Sequence, residues 1–178
     1  LQPLVMRFSI VLQRLSITAA LLPSLQAQYQ MEQVVSAGVT GGKHLQTQFS
    51  LCLTISRNIE LSFLIIGDIV GDPGMALVQK WIPRLRQERK IDAVVVNGEN
   101  SAKSGNGIMP KNYEILKGLG VDVITTGNHA FDTKESIDLF RQRDDLLRPI
   151  NFHTECPGRG YTIFTVGLHT VAVVNIHG

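Results

Sequence analysis

Cysteine is scarce in this chain: 178 residues hold two, Cys52 and Cys156, far apart and without CxxC spacing. That excludes a disulfide-stapled secreted scaffold. A lone thiol with no spaced partner reads as a small buried hydrophobe rather than a soft metal ligand. Charge of one sign is scarce too, 17 Lys and Arg against 15 Asp and Glu for a net +2. A groove that grips phosphates concentrates basic side chains on one face, so a nucleic-acid or membrane surface is not expected. The nearest approach to a patch is Arg84, Arg86, Arg89 and Lys90, which fall at the end of an expected helix, where cations favour the negative pole of the macrodipole. The first strand-to-helix turn, Gly67 to Gly74, lacks GxGxxG spacing, which argues against a dinucleotide-binding domain. What remains, 44% apolar and 18% charged, is the composition of a globular domain with a real core, neither tail nor membrane protein.

The chain has a seam near residue 60. Residues 1–61 carry Gln26, Gln28, Gln30 and Gln33, a Gly41-Gly42 step, and apolar runs that keep neither a helical nor a strand period. Residues 6–27 are signal-like: Met6-Arg7, an apolar run to Leu22 and a small-residue step at Leu25-Gln26-Ala27, although Arg14 interrupts the run. A leader outside the catalytic fold, loosely ordered, is the expectation for 1–61, with the domain over 62–178.

From Ser62 the pattern turns regular. Ser62 to Ile66 is an apolar strand stopped by Gly67-Asp68, and Gly74 to Lys90 has helical spacing through Ala76, Leu77, Trp81 and Leu85, with Pro83 inside it. Ile91 to Val96 is a second strand, ended by Asn97-Gly98-Glu99-Asn100, and a helix follows from Pro110 to Leu119. Val121 to Thr126 is a third, closed by Gly127-Asn128-His129, after which Thr133 caps a helix through Ile137 and Phe140, with Ser136 where a capping box would carry Glu or Gln. Continuous apolar strands alternating with helices predict an α/β fold of βαβ units, its parallel sheet covered on both faces. Tyr161 to Val166 and Thr170 to Ile176, joined by Gly167-Leu168-His169, read as a hairpin whose second strand extends that sheet.

Ligand sites of open α/β sheets lie at the carboxyl ends of the strands. Asp68, then Glu99 and Asn100, then Asn128 and His129 each follow one of the three strands, each cluster preceded by a glycine (Gly67, Gly98, Gly127) that lets the backbone turn sharply and approach a ligand. Taken singly, an Asp after a strand is usually a turn residue or helix cap and Gly-Asn is turn chemistry; three such clusters at one end of three consecutive strands point to a site. Carboxylates, amide oxygens and imidazole together suit iron, manganese or zinc better than calcium. Two such ions clamp a phosphate and make hydroxide available near neutral pH, and a histidine beside them can protonate a departing alkoxide. His44, His153 and His169 are isolated in loops or turns and read as solvated imidazoles; His177, at a strand end, receives no role.

These residues resemble a known family. Leu64-Ile65-Ile66-Gly67-Asp68-Ile69-Val70-Gly71, Asn97-Gly98-Glu99-Asn100, Gly107-Ile108 with Pro110, Val123-Ile124-Thr125-Thr126-Gly127-Asn128-His129 and Leu147-Arg148-Pro149 are similar to the YmdB-like branch of the calcineurin-like metallophosphoesterases, over Ser62 to Gly178. The wider superfamily opens on Asp-x-His and continues with Gly-Asp-x-x-Asp; this branch, like this chain, has Asp without the His and Glu-Asn in place of the second pattern. The resemblance implies a metallophosphoesterase-type fold and a cytoplasmic phosphodiesterase acting on 2′,3′-cyclic nucleotides through two metal ions, usually iron. It implies that Asp68 and Asn100 ligate the first metal, Glu99 bridges both, Asn128 ligates the second and His129 donates the proton. Its implied partner is a small phosphodiester, with no membrane or specific nucleic acid and with homo-oligomerisation left open. Family members draw three further histidines from a C-terminal half that lies beyond this sequence, so the fold is expected to be truncated and the metal set incomplete. The alternative is a non-catalytic fragment that binds phosphate or nucleotide, or pairs with another chain.

Overall fold

The computed structural model describes residues 10–17, 49–54 and 59–178. Its elements are β1 (Ile10–Ile17), β2 (Phe49–Thr54), β3 (Ile59–Ile66), α1 (Gly71–Arg89), β4 (Ala93–Asn97), α2 (Pro110–Gly118), β5 (Val123–Thr125), α3 (Lys134–Gln142), β6 (Leu146–Leu147), β7 (Tyr161–Val166) and β8 (His169–Ile176). They form two sheets, one ordered β1-β3-β4-β5-β6 and one β2-β8-β7. Strands β3 to β6 run parallel, each βα unit delivering the next strand to its neighbour. The expected α/β fold is therefore present, and no described helix is long and apolar enough to cross a membrane.

Strand alternation decides what each face of the parallel sheet meets. Leu64, Ile66, Val94, Val96, Ile124 and Leu146 join Val78 and Ile82 of α1, Leu116 of α2 and Phe140 of α3 in one core. Phe63, Ala93, Val95, Val123 and Leu147 face the other way and pack on Val166, Val171 and Val173 of the second sheet. Helices thus cover one face and a sheet the other, which is why all five residues of β4 are buried and why the strands read as unbroken apolar runs. Full burial of side chains the size of Phe63 or Leu64 stabilises by about 1.5–3 kcal/mol each.

One expectation is corrected. The β7–β8 hairpin forms, but it belongs to the second sheet and does not extend the parallel one. The reason lies in β6, whose two residues offer almost no ladder: Pro149 has no N–H to give, the Arg148 N–H is taken by the Arg159 carbonyl, and a single bridge, Leu147 to Arg159, joins that edge. Two short segments of the 1–61 stretch pair with described strands. The 10–17 segment lies antiparallel on β3 and the 49–54 segment antiparallel on β8, because the open flanks of β3 and β8 present rows of backbone donors and acceptors that an extended segment can satisfy. The rest of the leader, including most of the signal-like 6–27 stretch and His44, lies outside the described residues, as does the side chain of Cys52.

The amino ends of the parallel strands are tied by aspartates. Asp92, just before β4, exchanges backbone and side chain with Ser62, whose N–H donates to Oδ2 at 2.7 Å while the Asp92 N–H donates to the Ser62 carbonyl at 2.8 Å. Asp122 repeats this against Val94, at 2.7 and 2.9 Å. Asp145, before β6, accepts from the Tyr113 hydroxyl at 2.6 Å and pairs with Lys117 at 2.7 Å. The arginines at the end of α1 are spent locally, Arg84 on Glu88 and Arg86 on the Gly120 carbonyl, in keeping with a helix terminus. Thr133 caps α3 as expected, its Oγ1 accepting from the Ser136 N–H at 3.1 Å; Ser136 Oγ, instead of closing a capping box, donates to the Ile108 carbonyl at 2.9 Å.

Candidate active site

At the opposite, carboxyl ends each loop is stapled to its neighbour by backbone hydrogen bonds. After β3, the Ile69 N–H donates to the Asn97 carbonyl at 3.0 Å and the Gly71 N–H to the Asn100 carbonyl at 2.8 Å. After β4, the Gly98 N–H donates to Thr125, and after β5 the Thr126 N–H donates to Leu147, both at 3.0 Å. Gly71, which opens α1, sits at φ +55°, a left-handed conformation that glycine adopts without penalty. The three glycines before the polar clusters, Gly67, Gly98 and Gly127, are not among the positive-φ positions. Gly98 is required by space: a Cβ there would stand 2.9 Å from Ile124 Cγ2 and 3.2 Å from Ile108 Cδ1.

Asp68 and Asn100 meet directly. The carboxylate is exposed and its Oδ1 accepts from Asn100 Nδ2 at 2.7 Å. A carboxylate only accepts, so the amide must turn its NH₂ toward Asp68 and its oxygen away. That oxygen, Asn100 Oδ1, is buried and has no hydrogen-bond partner among the described residues, a condition that costs about 1–3 kcal/mol unless something else takes the lone pairs. Glu99 is 5% exposed, and its backbone N–H donates to Asn97 Oδ1 at 3.1 Å. Ser101 closes the loop, its hydroxyl donating to the Gly98 carbonyl at 2.7 Å.

The third cluster stands on the neighbouring loop. Asn128 is exposed and His129 part-buried, with His129 Nδ1 2.6 Å from Asp132 Oδ2. Facing an acceptor-only carboxylate, Nδ1 carries the proton, which leaves Nε2 turned to other partners. No hydrogen bond joins Asn128 or His129 to the Asp68–Asn100 pair among the described residues, and no three His, Cys, Asp or Glu side chains there gather as a metal-binding group. The residues brought together are thus one carboxylate–amide pair with a buried Glu beside it, and a His–Asp pair one loop away.

Two contributors escaped the sequence reading. Asp132 lies three residues after His129 in a turn, a spacing that leaves no periodic signal. Asn175 of β8 is 2% exposed, and its Nδ2 donates to the Thr126 carbonyl at 2.7 Å and the Leu147 carbonyl at 3.0 Å, so the second sheet braces the loop that carries Asn128 and His129. His177 is held by reciprocal bonds with Asn151, N–H to Oδ1 at 3.1 Å and carbonyl from Nδ2 at 2.7 Å, with its ring 6.0 Å from that of Phe152. His153 is exposed beside Glu155, and Cys156 is a part-buried free thiol.

Comparison with known proteins gives two family matches. A family described as YmdB-like protein matches residues 64–178, and one described as BLTP1-like family middle region matches residues 1–76. A protein of Bacillus subtilis (strain 168) named 2′,3′-cyclic-nucleotide 2′-phosphodiesterase is 39% identical over 118 residues, 66% of this chain and 44% of that protein. The Danio rerio protein named Bridge-like lipid transfer protein family member 1 is 47% identical over 49 residues, 28% of this chain and 1% of its own length. The crystal structure of a phosphatase from Mycoplasma pneumoniae superposes with a TM-score of 0.53 at 29% identity, over 68% of this chain and 40% of that one. The chain spans less than half the length of the phosphodiesterase relative it matches.

Proposed function

This chain belongs to the YmdB-like protein family, and from that membership we propose that its strand-end cluster is the amino-terminal part of a dinuclear phosphodiesterase site for 2′,3′-cyclic nucleotides. The observation that carries the reading is the buried Asn100 Oδ1, held away from Asp68 by its own amide and without a partner among the described residues. A buried amide oxygen that no protein donor among the described residues engages, with the Asp68 carboxylate on the same amide and Glu99 next in the chain, is a hard donor set that a cation satisfies, so the residues fit the ions the family implies. Asp68 and Asn100 would hold the first ion, Glu99 would bridge, and Asn128 would hold the second; iron is favoured, with manganese or zinc also suited. Bound ions would neutralise the phosphoryl group and supply a water more acidic than bulk water.

The protein's own contribution to turnover is a proton. As water oxygen bonds to phosphorus, one of the two P–O bonds to the ribose breaks, and the departing oxygen needs the proton that protonated His129 Nε2 supplies. Asp132, by accepting from Nδ1, fixes the ring's orientation. On the same family grounds the activity belongs in the cytoplasm. The second reading, a chain that binds phosphate or nucleotide without turnover, draws on the lack of a third His, Cys, Asp or Glu beside the cluster among the described residues.

Metal analysis of the purified chain separates them. About two equivalents of iron or manganese with hydrolysis of 2′,3′-cyclic AMP supports the enzyme. Less than one equivalent with no turnover supports the binding fragment and overturns a working centre in this chain.

A further inference from the structure

The fourth parallel strand also ends on a charged residue, and neither the proton transfer nor the metal set uses it. Arg148 follows β6 directly and is 8% exposed. Its Nη1 donates to the Pro149 carbonyl at 2.9 Å, while Nε is buried with no partner among the described residues. Among the described residues it has no ion pair and no aromatic ring. Arg143 also has a buried Nε without a hydrogen-bond partner among the described residues, but it differs in having a counter-charge, Glu114 at 3.0 Å, and the Tyr113 ring 5.0 Å away.

A guanidinium stays charged at any physiological pH, so a buried one without a counter-charge lacks the partner that offsets its desolvation. The bond to Pro149 uses Nη1, and among the described residues no hydrogen bond engages the side-on edge, Nε with Nη2. Two parallel N–H groups on that edge match two oxygens of one oxyanion. Position narrows the choice of anion. The Leu147 carbonyl accepts from the Thr126 N–H, the Thr126 hydroxyl and Asn175 Nδ2, fixing Arg148 one residue past a junction whose other arm leads through Gly127 to Asn128 and His129.

We propose that the side-on edge of Arg148 is an oxyanion-binding site for a phosphoryl group, at the end of β6 next to the Asn128–His129 loop. This rests on the phosphodiesterase reading for the identity of the anion, but not on metal binding. The shared chemistry is a phosphoryl oxygen pair, from orthophosphate or from a nucleotide.

The test uses the whole chain in EDTA, titrated with inorganic phosphate and, in a parallel arm, with 3′-AMP, read by calorimetry and by NMR of the histidine rings. Saturable phosphate binding is expected, with shifts at His129 and none at the exposed His153. Arg148→Lys, which keeps the cation but loses the planar edge, should bind about tenfold or more weakly, and Arg148→Met should not bind. Tighter 3′-AMP than phosphate in wild type, with the same loss in both variants, would assign the site to nucleotide. Equal binding by wild type and Arg148→Lys overturns the proposal, as does a shift confined to His153, the mark of an adventitious ion only. Should Arg148→Met fail to fold, the lysine variant decides, since a purely structural arginine would leave its phosphate affinity at the wild-type value. Phosphate binding that survives while Glu99→Ala leaves the metal content untouched overturns the dinuclear reading alone; lost phosphate binding with metal content intact overturns the Arg148 site alone.

Discussion

The two ends of the parallel sheet use the same side chains to opposite purposes. At the amino ends, Asp92, Asp122 and Asp145 each find their donors within the fold, from Ser62, Val94, and Tyr113 with Lys117. At the carboxyl ends, Asp68 is exposed, and among the described residues Asn100 Oδ1 is buried without a partner and Arg148 is buried without a counter-charge. Satisfied polar groups hold strands in register; unsatisfied ones cost stability and persist where a ligand completes them. An aspartate beside a strand is therefore uninformative until its end of the strand is known.

The largest effect should come from breaking the carboxyl end. Glu99→Ala should strip both ions and abolish turnover; a variant that still carries two ions rules out the bridge. Next, His129→Ala should retain the ions and lose about 10²–10⁴ in turnover, and metal analysis beside a rate measurement would show whether the two functions separate. Crossing to the amino end, Asp122→Ala should cost about 1–3 kcal/mol in denaturant unfolding, because the Val94 N–H loses its acceptor, with metal content unchanged. Activity lost in proportion to metal at Asp122 would erase the distinction between the ends.

The smallest effects are in pH. Burial of Asp145 works against its ionisation, but hydrogen bonds from Lys117 and Tyr113 outweigh it and hold the carboxyl below its ordinary 3.8. A depressed folded value contributes stability above pH 3.8, lost as pH falls through the lower folded value. Burial, then the bond to Asp145, push Tyr113 above its ordinary 10.0. That contribution is whole below pH 10 and fades as pH rises through the folded value. The stability difference between wild type and Asp145→Asn should be flat near neutrality and shrink in acid, and Tyr113→Phe should flatten the alkaline limb. A difference insensitive to acid would mean the cluster is not coupled to folding.

Much of this was legible in the chain because its signals are local. Three apolar runs, each closed by a polar cluster, announce the parallel strands, and Thr133 announces its helix by a bond that spans three residues. What stayed hidden depends on distance. Strand β6 has two residues, too few for any period, so nothing warned that the sheet would stop there and send the following hairpin to its other face. Helix α1 starts at Gly71, three residues before its apolar spacing begins, because the Gly71 N–H is engaged by Asn100, 29 residues away in the chain. Asn175 lies 49 residues from Thr126, and Arg148 could be seen as part of a motif but not as buried. The five strand-end residues were readable as a group, whereas the contact between Asp68 and Asn100 depends on two loops meeting.

The Asn175 amide has a dynamic consequence. Because its one NH₂ group donates to both Thr126 and Leu147, while its own backbone N–H donates to Gly160 and its carbonyl accepts from Ile150, strand β8 cannot peel away without releasing the ends of β5 and β6. Deuterium uptake at the amides of Thr126, Ile150 and Asn175 should then proceed at one shared rate, the signature of a single cooperative opening unit. Loosening the second sheet would blur the aim of His129 well before the helices or the core begin to melt.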